Sequence, residues 1–369
     1  MSSWPSTKEE AWRYFPTRAL QDHDLAAPMG VVAVDVGHAE ARLVIVNGVL
    51  DRDQSALPDG VTLEDAPRGD GRDGLVTANL SYGQGVRVRV AKKTSATLEV
   101  LYVTRGDGVV HPRLDLCLDT HAELRLLQRF VGAGRYFVNS VTDIHMAPDT
   151  RLAHVKLETE DPQASHIDAV TVHVGGDARY HGFTLSLGAT RARTAPFVTL
   201  AAPGAEAEVD GLYLGDGEQV LDHTMVMTHA APHTTSRATW AGVLDGKSTG
   251  TFQGLIVMKP AAVKGKTREL TRTLLLSDSA NANAKPELHI DVDDVEASHG
   301  ATVGSLDAAQ MFYLAARGIA PEVARKMLIG AFVRETVALA PALFRPAIEA
   351  ALKGRLADQH DGDGDDASL

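Results

Sequence analysis

The sequence predicts a mainly β protein, a long run of strands set between a short N-terminal helical segment and a C-terminal helical domain. Three observations predict it. Between residues 31 and 304 apolar and polar residues alternate in short runs, among them Ala41-Arg-Leu-Val-Ile-Val46, Val86-Arg-Val-Arg-Val90, Thr97-Leu-Glu-Val-Leu-Tyr-Val103, Leu114-Asp-Leu-Cys-Leu118, Ala169-Val-Thr-Val-His-Val174 and Phe252-Gln-Gly-Leu-Ile-Val257. Period two over such spans means strands. The runs are separated by Gly, Asp, Asn and Pro with almost no helical stretch between them, which excludes a doubly wound α/β fold and leaves sandwich, barrel or β-solenoid. Length bears on that choice, because a strand-rich run of roughly 200 residues is long for one sandwich while a β-helix adds rungs without limit. No strict hexapeptide or nonapeptide period is visible, so two sandwiches stay open beside the β-helix.

Taken in order, residues 1–30 carry Trp4, Trp12, Tyr14, Phe15 and Leu20 among charges. They read as an N-terminal arm with a short helix ending near Phe15-Pro16, since a residue before proline avoids the helical region. Residues 31–304 are the strand region. Within it Pro58 to Gly74, rich in Asp, Gly and Pro, reads as an exposed loop or linker. Residues 305–356 are helical. Asp307 is placed as an N-cap with Gln310 three residues on, and Gly318 is placed to end that helix. Pro321 opens a second helix, with Val323, Met327, Ala331 and Phe332 spaced for one apolar face, and a third follows Pro346. The tail, 357–369, is acidic and Gly-rich and reads as disordered.

Composition narrows the function. The net charge of −12 lacks the basic footprint of a protein that binds nucleic acid or an anionic membrane. The N-terminus has no apolar signal core, and no apolar run approaches the length of a membrane span, so a soluble cytoplasmic protein is expected. Cys117 is the single cysteine, so neither an internal disulfide nor a Cys-only iron-sulfur site can form within the chain. Asp115 and Asp119 share its strand face, and carboxylate neighbours raise a thiol pKa, which argues against a catalytic thiolate.

Other candidates are weighed against plainer roles. His223, His229 and His233 match no specific metal spacing and read as ordinary hydrogen-bonded or surface histidines before a zinc or iron site. Asp293 and Asp294 suit glycosidase carboxylates in number, but adjacent strand residues face opposite ways and read as solvated charges. Gly106-Asp-Gly108 and Gly132-Ala-Gly134 read as turns, and no Gly-x-x-x-x-Gly-Lys-Ser/Thr loop occurs, so no nucleotide is expected on this chain. Ser298-His299-Gly300 reads as a turn between the strands and the helices, with glycines at 300 and 304 allowing a close backbone approach. On its own His299 reads as a structural histidine.

The segment Asp293-Asp-Val-Glu-Ala-Ser-His-Gly-Ala-Thr-Val-Gly-Ser-Leu-Asp-Ala-Ala-Gln-Met-Phe-Tyr-Leu-Ala-Ala-Arg-Gly-Ile319 resembles the signature of the SufB/SufD family of iron-sulfur cluster assembly scaffolds. Supporting matches run through Phe252-Gln-Gly-Leu-Ile-Val257, Leu274-Leu-Leu-Ser277, Lys285-Pro-Glu-Leu-His-Ile290, Ala324-Arg325 and Phe332, and Trp12-Arg-Tyr-Phe-Pro-Thr-Arg18 is similar to the family's entry segment. Within the family the chain resembles the SufD branch. SufB-type chains carry a persulfide-receiving cysteine and a His-Glu pair where this chain has His299-Gly300. The resemblance implies a right-handed parallel β-helix core and a non-catalytic scaffold subunit in complex with a SufB-type homologue and a SufC-type ATPase. It implies that His299 ligates iron or a nascent iron-sulfur cluster, transient and shared with the partner subunit. Docking of the ATPase maps onto Phe312, Tyr313, Arg317, Arg325 and Phe332. Some relatives place a cysteine two residues before the histidine; here that position is Ala297, so this chain offers no second sulfur ligand. Two other classes are retained, a β-helix carbohydrate-active enzyme and a stand-alone homodimeric metal-binding protein. An aromatic content of 5% argues against the first, which needs exposed aromatic platforms.

Overall fold

Strands with apolar side chains at alternate positions must bury one face, and this chain buries it across a closed lumen. In the computed structural model, which describes residues 5–22, 41–67 and 71–358, each strand from Glu123 onward pairs in parallel with the strand two places along the chain. Thus Arg151–Glu158 lies between Glu123–Ala133 and Arg179–Ser186, while Ser165–Val174 lies between Tyr136–Met146 and Arg191–Leu200. Parallel neighbours need a long crossover, and each is supplied by a strand of the opposite wall. The result is a parallel β-helix of about 8 turns with two ten-stranded walls. Two stacked sandwiches, built from antiparallel ladders, are excluded.

The turns show why no short repeat is visible. Lys93, His121, Asp149 and Asp177 hold left-handed φ values between 54° and 62° at 28-residue intervals. One rung there is 28 residues, two long strands and two tight turns, and from Arg179 on the rungs vary in length, a loose period hidden further by side chains that vary freely. At the N-terminal end the walls are closed by antiparallel strands, Val49–Ala56 on one and Val61–Asp65 on the other. At the C-terminal end Asn281–Ile290 and Glu296–Gly304 are the last strands, each with a neighbour on one side only among the described residues.

The stretch read as a loop between residues 58 and 74 contains that edge strand Val61–Asp65, because Val61 buries itself opposite Val90. Residues 68–70 lie outside the described residues. A helix not foreseen in the sequence, α1 (Gly74–Tyr82), follows, capped by the Asp73 carboxylate, which accepts from the Leu75 and Val76 amides at 3.0 Å. Its face buries only Leu75 and Asn79, too sparse a pattern to show in sequence. The arm is not one helix either. Two short 3-10 segments, Glu10–Trp12 and Thr17–Asp22, place Trp12, Phe15 and Leu20 against Phe137 and Ile167 on the outside of one wall.

Three helices follow the last strand, α2 (Ala308–Ala316), α3 (Pro321–Val337) and α4 (Arg345–Asp358); α3 and α4 cover the outside of the other wall, and α2 lies against α3. Val333, Val337, Phe344, Ile348 and Leu352 pack on the outward Val155, Leu157, Phe183, Leu185, Leu212 and Val243. The face expected for α3 is displaced. Val323 and Met327 are exposed, and the buried residues are Ala324, Val333, Thr336 and Val337, the stripe that meets the wall. None of the described helices is long and apolar enough to cross a membrane. The acidic tail from residue 359 on, like residues 23–40, lies outside the described residues.

Candidate functional site

The open C-terminal end of the β-helix brings the singled-out histidine to its position. Ser298-His299-Gly300 is not a turn: Glu296–Gly304 is one continuous strand, paired residue for residue with Lys266–Leu275. Neither Gly300 nor Gly304 adopts a positive φ, and the chain turns only at Ser305-Leu306 before Asp307 caps α2, its carboxylate accepting from the Ala309 amide at 2.8 Å. The ladder sets Ala297 over Thr267, His299 over Glu269 and Ala301 over Thr271. Those underlying residues face the lumen and are buried, so His299 stands on the inward row of the last rung, exposed because no strand among the described residues covers it.

Glu269 escaped sequence reading. The row Thr267, Glu269, Thr271, Thr273 is polar yet buried, whereas Arg268 is exposed and Leu270 and Arg272 are only half-buried on the outside. Alternation alone would turn this strand the other way, with leucines inward. Burial pushes the Glu269 carboxyl up to about 7, with the Glu287 carboxylate adding to the rise. On the facing wall is Gly254, where a Cβ would come within 2.3 Å of the Glu269 Oε2.

The residues singled out on the helices divide into two groups. Phe312, Tyr313 and Arg317 lie on the free face of α2, a helix without a buried residue, with the first two 76% and 57% exposed and Arg317 over the Tyr313 ring at 5.0 Å. Arg325 and Phe332 instead serve the packing of α3. Arg325 donates to the Leu276 carbonyl at 3.0 Å, and the Arg272 guanidinium lies 5.5 Å from the centre of the Phe332 ring.

The other candidates fall apart as sites. His223 and His229 share the strand Val220–His229 but are six residues apart, about 20 Å along it. His223 is packed between the Tyr213 and Trp240 rings, and His229 shares hydrogen bonds with Thr234 and Ser236 at 2.8 Å, while His233 is an exposed turn residue with φ 56°. The Cys117 thiol lies 3.5 Å from Asp115 Oδ1 and is pushed up to about 11 by burial and that carboxylate, which disfavours the thiolate. Asp294 pairs with Lys264 at 2.8 Å in an exposed turn. His181, Glu208 and Asp210 bring ligand atoms within 4.8 Å of one another, but Arg237 already supplies the cation, donating to Asp210 at 3.0 and 2.9 Å.

Fold and site together define an open-ended parallel β-helix, with the exposed His299 on the inward row of its terminal rung and a helical appendage on one wall. Residues 101–332 match the family described as "SUF system FeS cluster assembly, SufBD core domain", and the chain belongs to this SufB/SufD family. It is 28% identical over 356 residues to the iron-sulfur cluster assembly protein SufD of Escherichia coli, covering 90% of this chain and 84% of that one. A SufBD family protein of Synechocystis is 26% identical over 398 residues, covering 95% and 86% of the two chains, and SufD of Bacillus subtilis is 32% identical over 138 residues, 37% and 32% of them. The family membership supports a role in iron-sulfur cluster assembly by the SUF system.

Proposed function

We propose that this chain is a cytoplasmic, non-catalytic scaffold subunit that pairs with a SufB-type homologue and a SufC-type ATPase, and that a nascent cluster forms where its open end meets the homologue. Iron is cargo here. His299 offers a ring nitrogen to it, and thiolate ligands come from the partner. The observation that carries this reading is the incompleteness of the ligand set. His299 stands exposed on the terminal rung, while Cys117 lies on the strand Arg113–Leu118, six strand spacings from the end of its wall, about 29 Å. An iron-sulfur cluster needs more donors than one imidazole, so a second chain must supply them. Unpaired parallel edges at Asn281–Ile290 and Glu296–Gly304 offer that chain a ladder to extend. The exposed Phe312 and Tyr313 on α2, the helix that follows the strand carrying His299, offer the ATPase an apolar surface.

The test is His299→Ala. The variant is expected to fold and to assemble with both partners as the native chain does, yet to yield less cluster. An unchanged cluster yield would remove His299 from the ligand set. The open edge could equally take a second copy of this chain, and a homodimer that persists when the SufB-type homologue is present would favour that arrangement over the mixed one.

A further inference from the structure

Beneath His299 the lumen holds polar groups without partners. Glu269 is 1% exposed, and neither of its carboxylate oxygens has a hydrogen-bond partner among the described residues; the Thr271 hydroxyl, next along the same inward row, has none either. A buried carboxylate without a partner costs the fold several kcal/mol or is forced to hold its proton. Among the described residues its surroundings add no cation. The charge that acts on it is another carboxylate, Glu287, while Lys285 is engaged by Glu10 and Glu287, and Arg272 is turned outward to Glu335. The facing wall carries glycine at 254, and any side chain there would occupy the space of the Glu269 carboxylate. Two carboxylate oxygens and a hydroxyl without partners thus lie one rung below the exposed imidazole, against a glycine that leaves the carboxylate its place.

We propose that Glu269 is a second metal donor of this chain, which with His299 takes a divalent transition cation of the Fe2+ class entering through the open end of the β-helix. The two residues are ladder partners on one face, at a strand spacing of about 4.8 Å. Metal bonds of about 2.0–2.2 Å from an imidazole nitrogen and a carboxylate oxygen reach across at most about 4.4 Å, so the exposed His299 ring must lean toward Glu269 to share a cation with it. One imidazole and one carboxylate with open positions suit ferrous iron, and the vacant positions face the end where a partner's thiolates would arrive. The carboxylate releases its proton as the cation binds, and the cation supplies the missing counter-charge. This inference rests on the reading of His299 as a ligand for cargo iron.

Anaerobic titration of the full-length chain with Co2+, followed by its visible absorption, tests it on native protein and on Glu269→Gln, His299→Ala and Gly254→Ala. The native chain should bind one equivalent. Glu269→Gln and His299→Ala should each weaken binding by about tenfold or more, with circular dichroism unchanged. Gly254→Ala, which pushes the carboxylate aside without removing it, should weaken binding as well. Native-like binding by Glu269→Gln with weakened binding by His299→Ala overturns the role of Glu269 and leaves His299 standing. Native-like binding by both overturns the two together. No saturable binding to the native chain overturns the two-donor site, and His299 is then judged by cluster yield in the complex.

Discussion

Lys156 is 2% exposed in the lumen, held between the Glu158 and Asp168 carboxylates at 2.6 Å each. Burial works against its charge, but the two carboxylates outweigh burial and raise its pKa. Ser186 and Thr194 donate to Glu158 at 2.7 and 2.9 Å, so the group is bonded on several sides. Replacing Lys156 with Met would strand two carboxylates in the interior, and a loss of about 3–5 kcal/mol is expected in urea unfolding. An unchanged midpoint would show that the carboxylates carry no charge there. At this scale sequence legibility divides sharply. His299 was legible through its motif, although its strand was read as a turn, since Gly300 and Gly304 signal turns whether or not the backbone uses the freedom they give. Glu269 was not legible, because Thr267, Glu269, Thr271 and Thr273 reverse the usual polarity of a strand.

Among the elements, the helices were easier to bound than to orient. Asp307, Gly318 and Pro321 mark helix ends by local chemistry alone: Asp307 caps α2, Gly318 leaves it at φ 78°, and Pro321 stands in the first turn of α3. Which stripe of α3 is buried depends on a wall built from residues more than 80 positions earlier, such as Leu212 and Val243, and two apolar stripes compete for it. The losing stripe, with Val323 and Met327, lies exposed together with Phe312 and Tyr313 of α2. Phe312→Asp combined with Tyr313→Asp should therefore leave the stability of the isolated chain within about 0.5 kcal/mol, as exposed positions do. The same pair should abolish co-purification with the ATPase. A large fall in melting temperature would show instead that α2 is held by contacts within this chain.

For the whole molecule, the β-helix follows from rungs of varying length whose left-handed turn positions are filled by Lys, His, Asp and, at 204, Gly, so no sequence repeat announces it. Buried and half-buried histidines also fix an acid response. His111 and His229 are pushed down to about 4, and His154 and His223 to about 3, in each case by burial first. These rings stay neutral in the fold, while the unfolded chain takes up protons below about 6.5, so stability is complete above that pH and falls as pH drops toward 4. Each ring contributes about 1.4 kcal/mol of loss per pH unit in that window. His166, raised by Glu160 and Glu158 against the cost of burial, acts in the opposite sense, its contribution present at low pH and fading as pH rises through its elevated pKa. The carboxyls of Glu269 and Asp210, pushed up to about 7 by burial, and those of Asp143 and Asp222, also raised by burial, oppose the four rings in the same window, so the rings are read by difference. The fall in urea midpoint between pH 7 and pH 5 should be smaller in His154→Gln than in the native chain, and an equal fall would contradict the buried, neutral state of that ring.

The central claim is that the open end of this β-helix is half of a site. Anaerobic purification of the tagged chain, expressed alone and together with the SufB-type homologue and the SufC-type ATPase, followed by iron and acid-labile sulfide analysis, addresses it most directly. The account predicts that the chain alone carries no sulfide, and that the three-chain complex carries iron and sulfide in matching amounts. Equal iron and sulfide on the chain alone, or a complex that forms without it and holds its cluster unchanged, would contradict it.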